Sequence, residues 1–346
     1  MLYVTTRNSK DAYTAHRALC ERRGPDGGLY VPFRRPSFTP DEMGSLLQMP
    51  FNACVAALIN KMFNTRLTSW DIDFAVGRNP VRLHAMSHRI TVGECWHNPE
   101  GEIAFLVRKI ADRIRVKGYP ETIGDWPEIG VRIAVLFGIF GQMHRSGAVR
   151  NGQRVDVAVV SGDFSAPMAA WYARSWGLPI GNIVCCCNEN SFVWELFHHG
   201  ELRTGAAASF TALPDADTVV PVSLERLLFG CGGYAETHKY VEALRCGGVY
   251  RPNDVILSRI RSGMDISVVS GSRTKSAIMN VWRSHGYLMG PYTALSYTGL
   301  LDYRSRAGES GPALILAEKG PAKDMKTVAG AMGIPEEEMR QRIDLL

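Results

Sequence analysis

The stretch RVDVAVVSGDFSAPMAAWYARSWGLPIGNIVCCC, from Arg154 to Cys187, decides the fold class. Val155 to Val160 is an apolar, β-branched run of strand length that stops at Ser161-Gly162, and Ala166 to Trp176 is helix-forming. Gly177-Leu178-Pro179 breaks that helix, and Ile183 to Cys187 is a second continuous apolar run. Strand, tight turn, helix and strand make a βαβ unit, whose two strands are parallel and covered on both faces. The expected architecture is α/β, an open and mostly parallel sheet with flanking helices.

On the N-terminal side, residues 1 to about 90 read as a mainly helical region with an opening strand at Leu2–Thr5, a turn at Gly24-Pro25-Asp26-Gly27-Gly28 and helical periodicity through Phe51–Met62. Glu102 to Val116 has an amphipathic helical pattern that Tyr119-Pro120 ends, and Trp126 to His144 is a further helix with Pro127 in its first turn. On the C-terminal side, Gly200 to Asp217 is loop, and Leu224–Phe229 and His238–Leu244 read as helices. A long connection runs to Val255. Helices at Ala277–His285 and Ala294–Tyr303, a buried strand at Ala313–Ala317 and a helical tail from Met325 complete the chain.

With 346 residues the chain is long enough for about two domains and a core of useful size. Hydrophobic residues at 46% and charged residues at 21% exclude a largely disordered chain. The +5 balance of 39 basic against 34 acidic residues is scattered along the chain, so nucleic acid is not an expected partner. The longest apolar stretch, Ile133 to Phe140, is far shorter than the roughly 20 residues a bilayer crossing needs. The opening residues have neither a basic nor an apolar leader region, and a cytoplasmic location is expected. The eight cysteines lack the spacing of a disulfide framework and read as reduced, mostly buried thiols.

Among candidate sites the turn Ser161-Gly162-Asp163-Phe164-Ser165-Ala166 stands first, because free amides at a strand-to-helix turn suit a phosphate or carboxylate. Ser165 is the expected N-cap. An ordinary turn that binds nothing is the alternative, and Asp163 favours it. A carboxylate about 4 Å from a phosphate charge costs about 4 kcal/mol at an effective dielectric of 20, against about 0.3–2 kcal/mol supplied by a helix N-terminus. An anion therefore requires Asp163 to point away. Asn188-Glu189-Asn190 follows the second strand at the ligand-binding edge of such sheets, with Asn190 equally well placed to cap the helix after it. Thr293 lies where a helix opens and reads as a cap. Neither the run Cys185-Cys186-Cys187 with His198-His199 nor the pair Cys95 and His97 has the spacing of a metal site or the third residue of a thiol catalyst. No metal is expected.

Taken together, these segments resemble the threonine synthases, pyridoxal-phosphate enzymes of fold type II. Tyr3-Val4-Thr5-Thr6-Arg7 with Pro25-Asp26-Gly27-Gly28-Leu29-Tyr30-Val31-Pro32 is similar to that family's opening. Ser161-Gly162-Asp163-Phe164, Gly177-Leu178-Pro179-Ile180 and Asn188-Glu189-Asn190 follow its T-G-N-F-G, G-L-P-I and N-E-N in order. Ser223 to Phe229, Gly286 to Ala294 and Gly320-Pro321-Ala322-Lys323 are similar to its S-N-x-E-R-L-L-F, G-Y-x-x-D-P-H-T-A and H-P-A-K. The resemblance implies a threonine-synthase-like region over residues 1–92 and, over 93–346, the large domain of such enzymes. It implies pyridoxal phosphate as cofactor, held at residues 161–166 with Thr293 at the pyridine nitrogen.

The departures fall on the chemistry. Leu106 stands where the resemblance places the Schiff-base lysine, and Leu cannot form that bond. Lys109, three residues on and on the same helical face, is the substitute amine of an enzyme reading. Only Val107 to Asp125 stands where the family has a long substrate-holding segment, so most of the smaller, closing domain is expected to be missing. Asp163 and Ser165 replace an asparagine and a glycine of the anion turn, and Tyr292 replaces a histidine. The expectation is a threonine-synthase-like protein that has lost catalysis and acts as a small-anion-binding or scaffold protein, without an internal Schiff base. Its ligand would be a small anion or amino-acid-like molecule, and its partner a second copy or another subunit. The alternative is an active pyridoxal-phosphate lyase acting on a phosphorylated or hydroxy amino acid.

Overall fold

The computed structural model describes residues 1–8, 10–86, 89–97, 103–113, 125–150, 152–190, 192–308 and 311–344. The expected helix ends at Glu102, Val116 and Tyr119-Pro120, and Ser191 before the helix after Asn190, lie outside these residues. The main sheet has six strands: β1 (Arg82–Met86), β2 (Ile90–Glu94), β3 (Val155–Val160), β4 (Ile180–Cys187), β5 (Met264–Val268) and β6 (Ala313–Ala317). Their spatial order is β5-β4-β3-β6-β2-β1. Every pairing is parallel except β1 with β2, a hairpin on the far edge. The α/β expectation is met, with a mixed, mostly parallel sheet.

The expected βαβ unit is β3, α4 (Ser165–Ser175 among helices numbered below) and β4, with Val159 beside Cys185 in parallel register. The helices that frame the sheet are α1 (Phe51–Phe63), α2 (Ile103–Arg113), α3 (Asp125–Arg145), α4, α5 (Phe192–His199), α6 (Leu224–Arg245), α7 (Asp254–Arg261), α8 (Gly271–His285) and α9 (Pro291–Ala307). A separate three-stranded sheet carries Leu2–Thr5 at its centre, between Tyr13–Thr14 and Tyr30–Pro32.

Besides helix α7 and the strands Tyr13–Thr14 and Tyr30–Pro32, which no pattern announced, the main sheet itself departs from the sequence reading. The hairpin β1–β2 and strand β5 stand where no strand was expected. β5 alternates buried Met264 and Ile266 with half-buried Asp265, the pattern of a short edge strand, which is weak against a background of loops. The two helices expected after Ser223 are both present within α6, parted by a break at Gly233, whose φ of 67° is open to glycine but strained for other residues.

α3 is apolar nearly all round and is buried accordingly. It packs on α1 through glycines two turns apart. A Cβ on Gly138 would stand 2.6 Å from the Phe51 ring, and one on Gly130 would stand 2.8 Å from Phe63. These contacts seat the N-terminal region on the helix that borders the sheet. Gly138→Ala gains about 1 kcal/mol of helix propensity but overpacks the contact at a cost of about 1–3 kcal/mol. The expected result is a net loss of stability in urea unfolding, and an unchanged or higher midpoint would contradict the close packing.

Candidate functional site

Because β2, β3, β4, β5 and β6 run parallel, their carboxyl ends share one edge, where ligands of open α/β sheets bind. A cavity of about 420 Å³ opens there, between the ends of β3 and β6. Val159 and Leu316 of the strands and Ile103 of α2 give it an apolar wall. Five charged side chains from four segments line the rest: Arg132 of α3, Asp163 of the turn after β3, Asp215 of the loop before α6, and Glu318 and Lys319 directly after β6.

Arg132 donates from Nε to Glu318 Oε1 at 2.8 Å and from Nη2 to Oε2 at 3.4 Å, with Glu128 Oε2 a further acceptor at 3.4 Å. Burial by itself lowers the guanidinium pKa, but facing Glu318, with Glu128 and Asp163 behind it, outweighs burial and holds the pKa above its ordinary value. Lys319 forms an ion pair with Asp215, and its Nζ lies 4.7 Å from the centre of the Tyr292 ring. The Tyr292 hydroxyl accepts the Asp215 amide hydrogen at 3.4 Å.

The turn 161–166 has closed on itself. Phe164, buried and left-handed at φ 70°, is the cap residue of α4, and Ser165 is its first helical residue rather than the N-cap expected. Such a φ is strained for a side chain of that bulk. Asp163 Oδ1 accepts the Ser165 amide hydrogen at 2.9 Å and Oδ2 accepts the Ser165 hydroxyl hydrogen at 2.5 Å. The carboxylate therefore faces the amide that an anion would use. Ser161, Gly162 and Ala166 line the cavity, while Phe164 is turned into the core.

The other candidates lie elsewhere. Lys109 is half-buried on α2, with its ammonium 5.5 Å from the centre of the Phe105 ring, and does not line the cavity. Leu106 is 1% exposed within the core. Thr293 is buried two residues inside α9, whose cap is Gly290, so it is not the cap expected. Glu189 accepts the Gly271 amide hydrogen at the start of α8 at 2.6 Å. Asn188 and Asn190 both donate to Asp217 Oδ1, at 2.6 and 2.9 Å, and Asn190 exchanges two bonds with the Ser209 backbone. They pin the 209–217 loop, and with it Asp215, instead of meeting the cavity. Cys95 is buried, which pushes its thiol pKa up, and His97 pairs with Glu94 at 2.5 Å instead. Burial likewise raises the Cys187 thiol to about 11. No group of three metal-ligating side chains occurs among the described residues.

Arg132, Asp215, Glu318 and Lys319 were missed. Two signals were available: Glu318-Lys319 follows a strand directly, as Asn188 does, and Arg132 is the lone charge between Ile129 and Met143. A cation inside an apolar helix needs a partner. Glu318→Gln leaves Arg132 largely buried without its main counter-charge, so a loss on the order of 3 kcal/mol is expected in urea unfolding. An unchanged midpoint would show the pair to be dispensable.

Residues 2–78 match the family model described as "Threonine synthase N terminus". The threonine synthase of Pseudomonas aeruginosa is 27% identical over 213 residues, which cover 60% of this chain and 43% of that protein. The chain thus spans less than half the length of the curated relative it matches. The solved structure of pyridoxal-phosphate-bound threonine synthase from Brucella melitensis aligns with a TM-score of 0.83 at 19% identity, covering 96% of this chain and 92% of that one. Threonine synthase from yeast aligns at 0.84 with 14% identity, covering 98% and 93%. At such identities these alignments bear on the fold. Among the described residues no helix is long and apolar enough to cross a membrane.

Proposed function

Since the chain is a distant relative of the threonine synthases, we propose that it keeps their fold without their pyridoxal-phosphate chemistry and serves as a small-ligand-binding or scaffold protein. The observation that carries this reading is the Asp163 carboxylate, bonded to the Ser165 amide and hydroxyl in the turn where the cofactor phosphate would sit. A phosphate beside it meets like charge, at about 4 kcal/mol for 4 Å and an effective dielectric of 20.

Schiff-base chemistry needs an amine within reach and an anchored cofactor. Leu106 supplies no amine, and Lys109 lies away from the cavity. The residues present do not fit pyridoxal phosphate. The same features argue against a free small anion as ligand. The short run from Val107 to Asp125, standing for most of the closing domain, belongs to the same reading.

The second reading is a lyase of the threonine synthase type on a phosphorylated or hydroxy amino acid. One observation favours it: a lysine, Lys319, does line the cavity. It is engaged in an ion pair with Asp215. Purified protein mixed with pyridoxal phosphate, reduced with borohydride and mapped by mass spectrometry separates the two. We expect no site-specific pyridoxyl-lysine and no rise in melting temperature. A single adduct at Lys319 or Lys109, together with turnover of O-phosphohomoserine, would establish the lyase.

Association with a second copy or another subunit is part of the proposal. Trp70 and Phe74, in contact with their rings tilted by 31°, are 65% and 68% exposed, and Arg113 at the end of α2 lies over Phe74. Exposed apolar area of this kind is commonly covered by a partner. A dimer is expected in light scattering at micromolar concentration; a monomer there would remove self-association from the reading.

A further inference from the structure

We propose that the cavity at the end of β3 and β6 takes a small amine-bearing organic cation, held at Asp163, and rejects phosphate and carboxylate ligands. This deepens the ligand-binding reading above and rests on it. The described lining residues carry two cations, Arg132 and Lys319, and three carboxylates, Asp163, Asp215 and Glu318. Arg132 is taken up by Glu318 and Lys319 by Asp215. One formal negative charge is left, and it resides on Asp163.

The hydrogen-bonding inventory points the same way. An ionised carboxylate has about four acceptor positions and no donor, and Ser165 uses two of those on Asp163. The remainder suit an ammonium, which brings three donors and no acceptor, whereas phosphate and carboxylate bring acceptors to an acceptor. Asp163 is exposed, so a ligand reaches it without displacing the turn.

A second, independent feature is Ser161, a buried residue that lines the same cavity and whose oxygen receives the Cys187 thiol at 3.1 Å. It offers a polar contact inside an otherwise apolar wall of Val159, Leu316 and Ile103. A cationic head at Asp163 with a short apolar body along that wall matches the arrangement. The volume lies within the usual range of small-molecule sites, about 300–1,000 Å³.

Three probes test this: n-butylamine and butyrate, of matched size and opposite charge, and inorganic phosphate, each titrated at neutral pH and low salt and followed by ligand-observed NMR. n-Butylamine is expected to bind at least about tenfold more tightly than either anion, and Asp163→Asn to weaken it by at least about tenfold. Asp302→Asn, whose carboxylate pairs with Arg273 away from the cavity, should leave it unchanged. Equal or tighter binding of butyrate or phosphate, indifference to Asp163→Asn in a folded variant, or no binding of any probe at millimolar concentration would each overturn the proposal. If Asp163→Asn does not fold, the ranking of the three probes on the unaltered protein decides. A site-specific pyridoxyl-lysine in the borohydride experiment would sink the non-catalytic reading instead, and leaves this ranking to be judged on its own.

Discussion

A parallel strand cannot return to its neighbour through a tight turn, so each must be followed by a crossover that places the next strand's start at the opposite end. Five of the six main strands obey that constraint here, and their carboxyl ends therefore gather on one edge. The cavity follows from it. β3 delivers Ser161 and Asp163, and β6 delivers Glu318 and Lys319, from positions far apart in sequence. Arg132 then joins α3 to the end of β6 through Glu318, tying the helix that carries the N-terminal region to the strand that borders the cavity.

The fold is shared with threonine synthases at identities below 20%. Packing tolerates wide substitution when volume and pattern are kept, and function resides in specific side chains placed on the frame. Asp163 illustrates the difference in scale. It alters neither strand nor helix, yet its carboxylate takes up the Ser165 amide of the turn.

The run Asn188-Glu189-Asn190 has a structural account that its position at the sheet edge does not reveal. Glu189 caps α8, and the two asparagines converge with Thr211 on Asp217 to hold the loop that presents Asp215. These polar groups are mutually satisfied, and such networks rigidify the segments they join. Their influence on the cavity is through that loop.

The sequence by itself determined the α/β class, the β3-α4-β4 unit, the buried cysteines and the family likeness. Each rests on local pattern: apolar runs bounded by turn residues, and short motifs read in order. It also showed that Leu106 carries no amine. Strands β1 and β5 were not legible, because a short edge strand draws its stability from the neighbour it pairs with and leaves only a weak local pattern, and β2, paired on both sides, was not because Thr91, Gly93 and Glu94 interrupt its apolar run. The direction of the Asp163 carboxylate, the absence of Lys109 from the cavity lining, and the meeting of Arg132 with Glu318, 186 residues away, were decided only in three dimensions. Such contacts depend on which strand ends the crossovers bring together, and no local stretch of the chain encodes that distance.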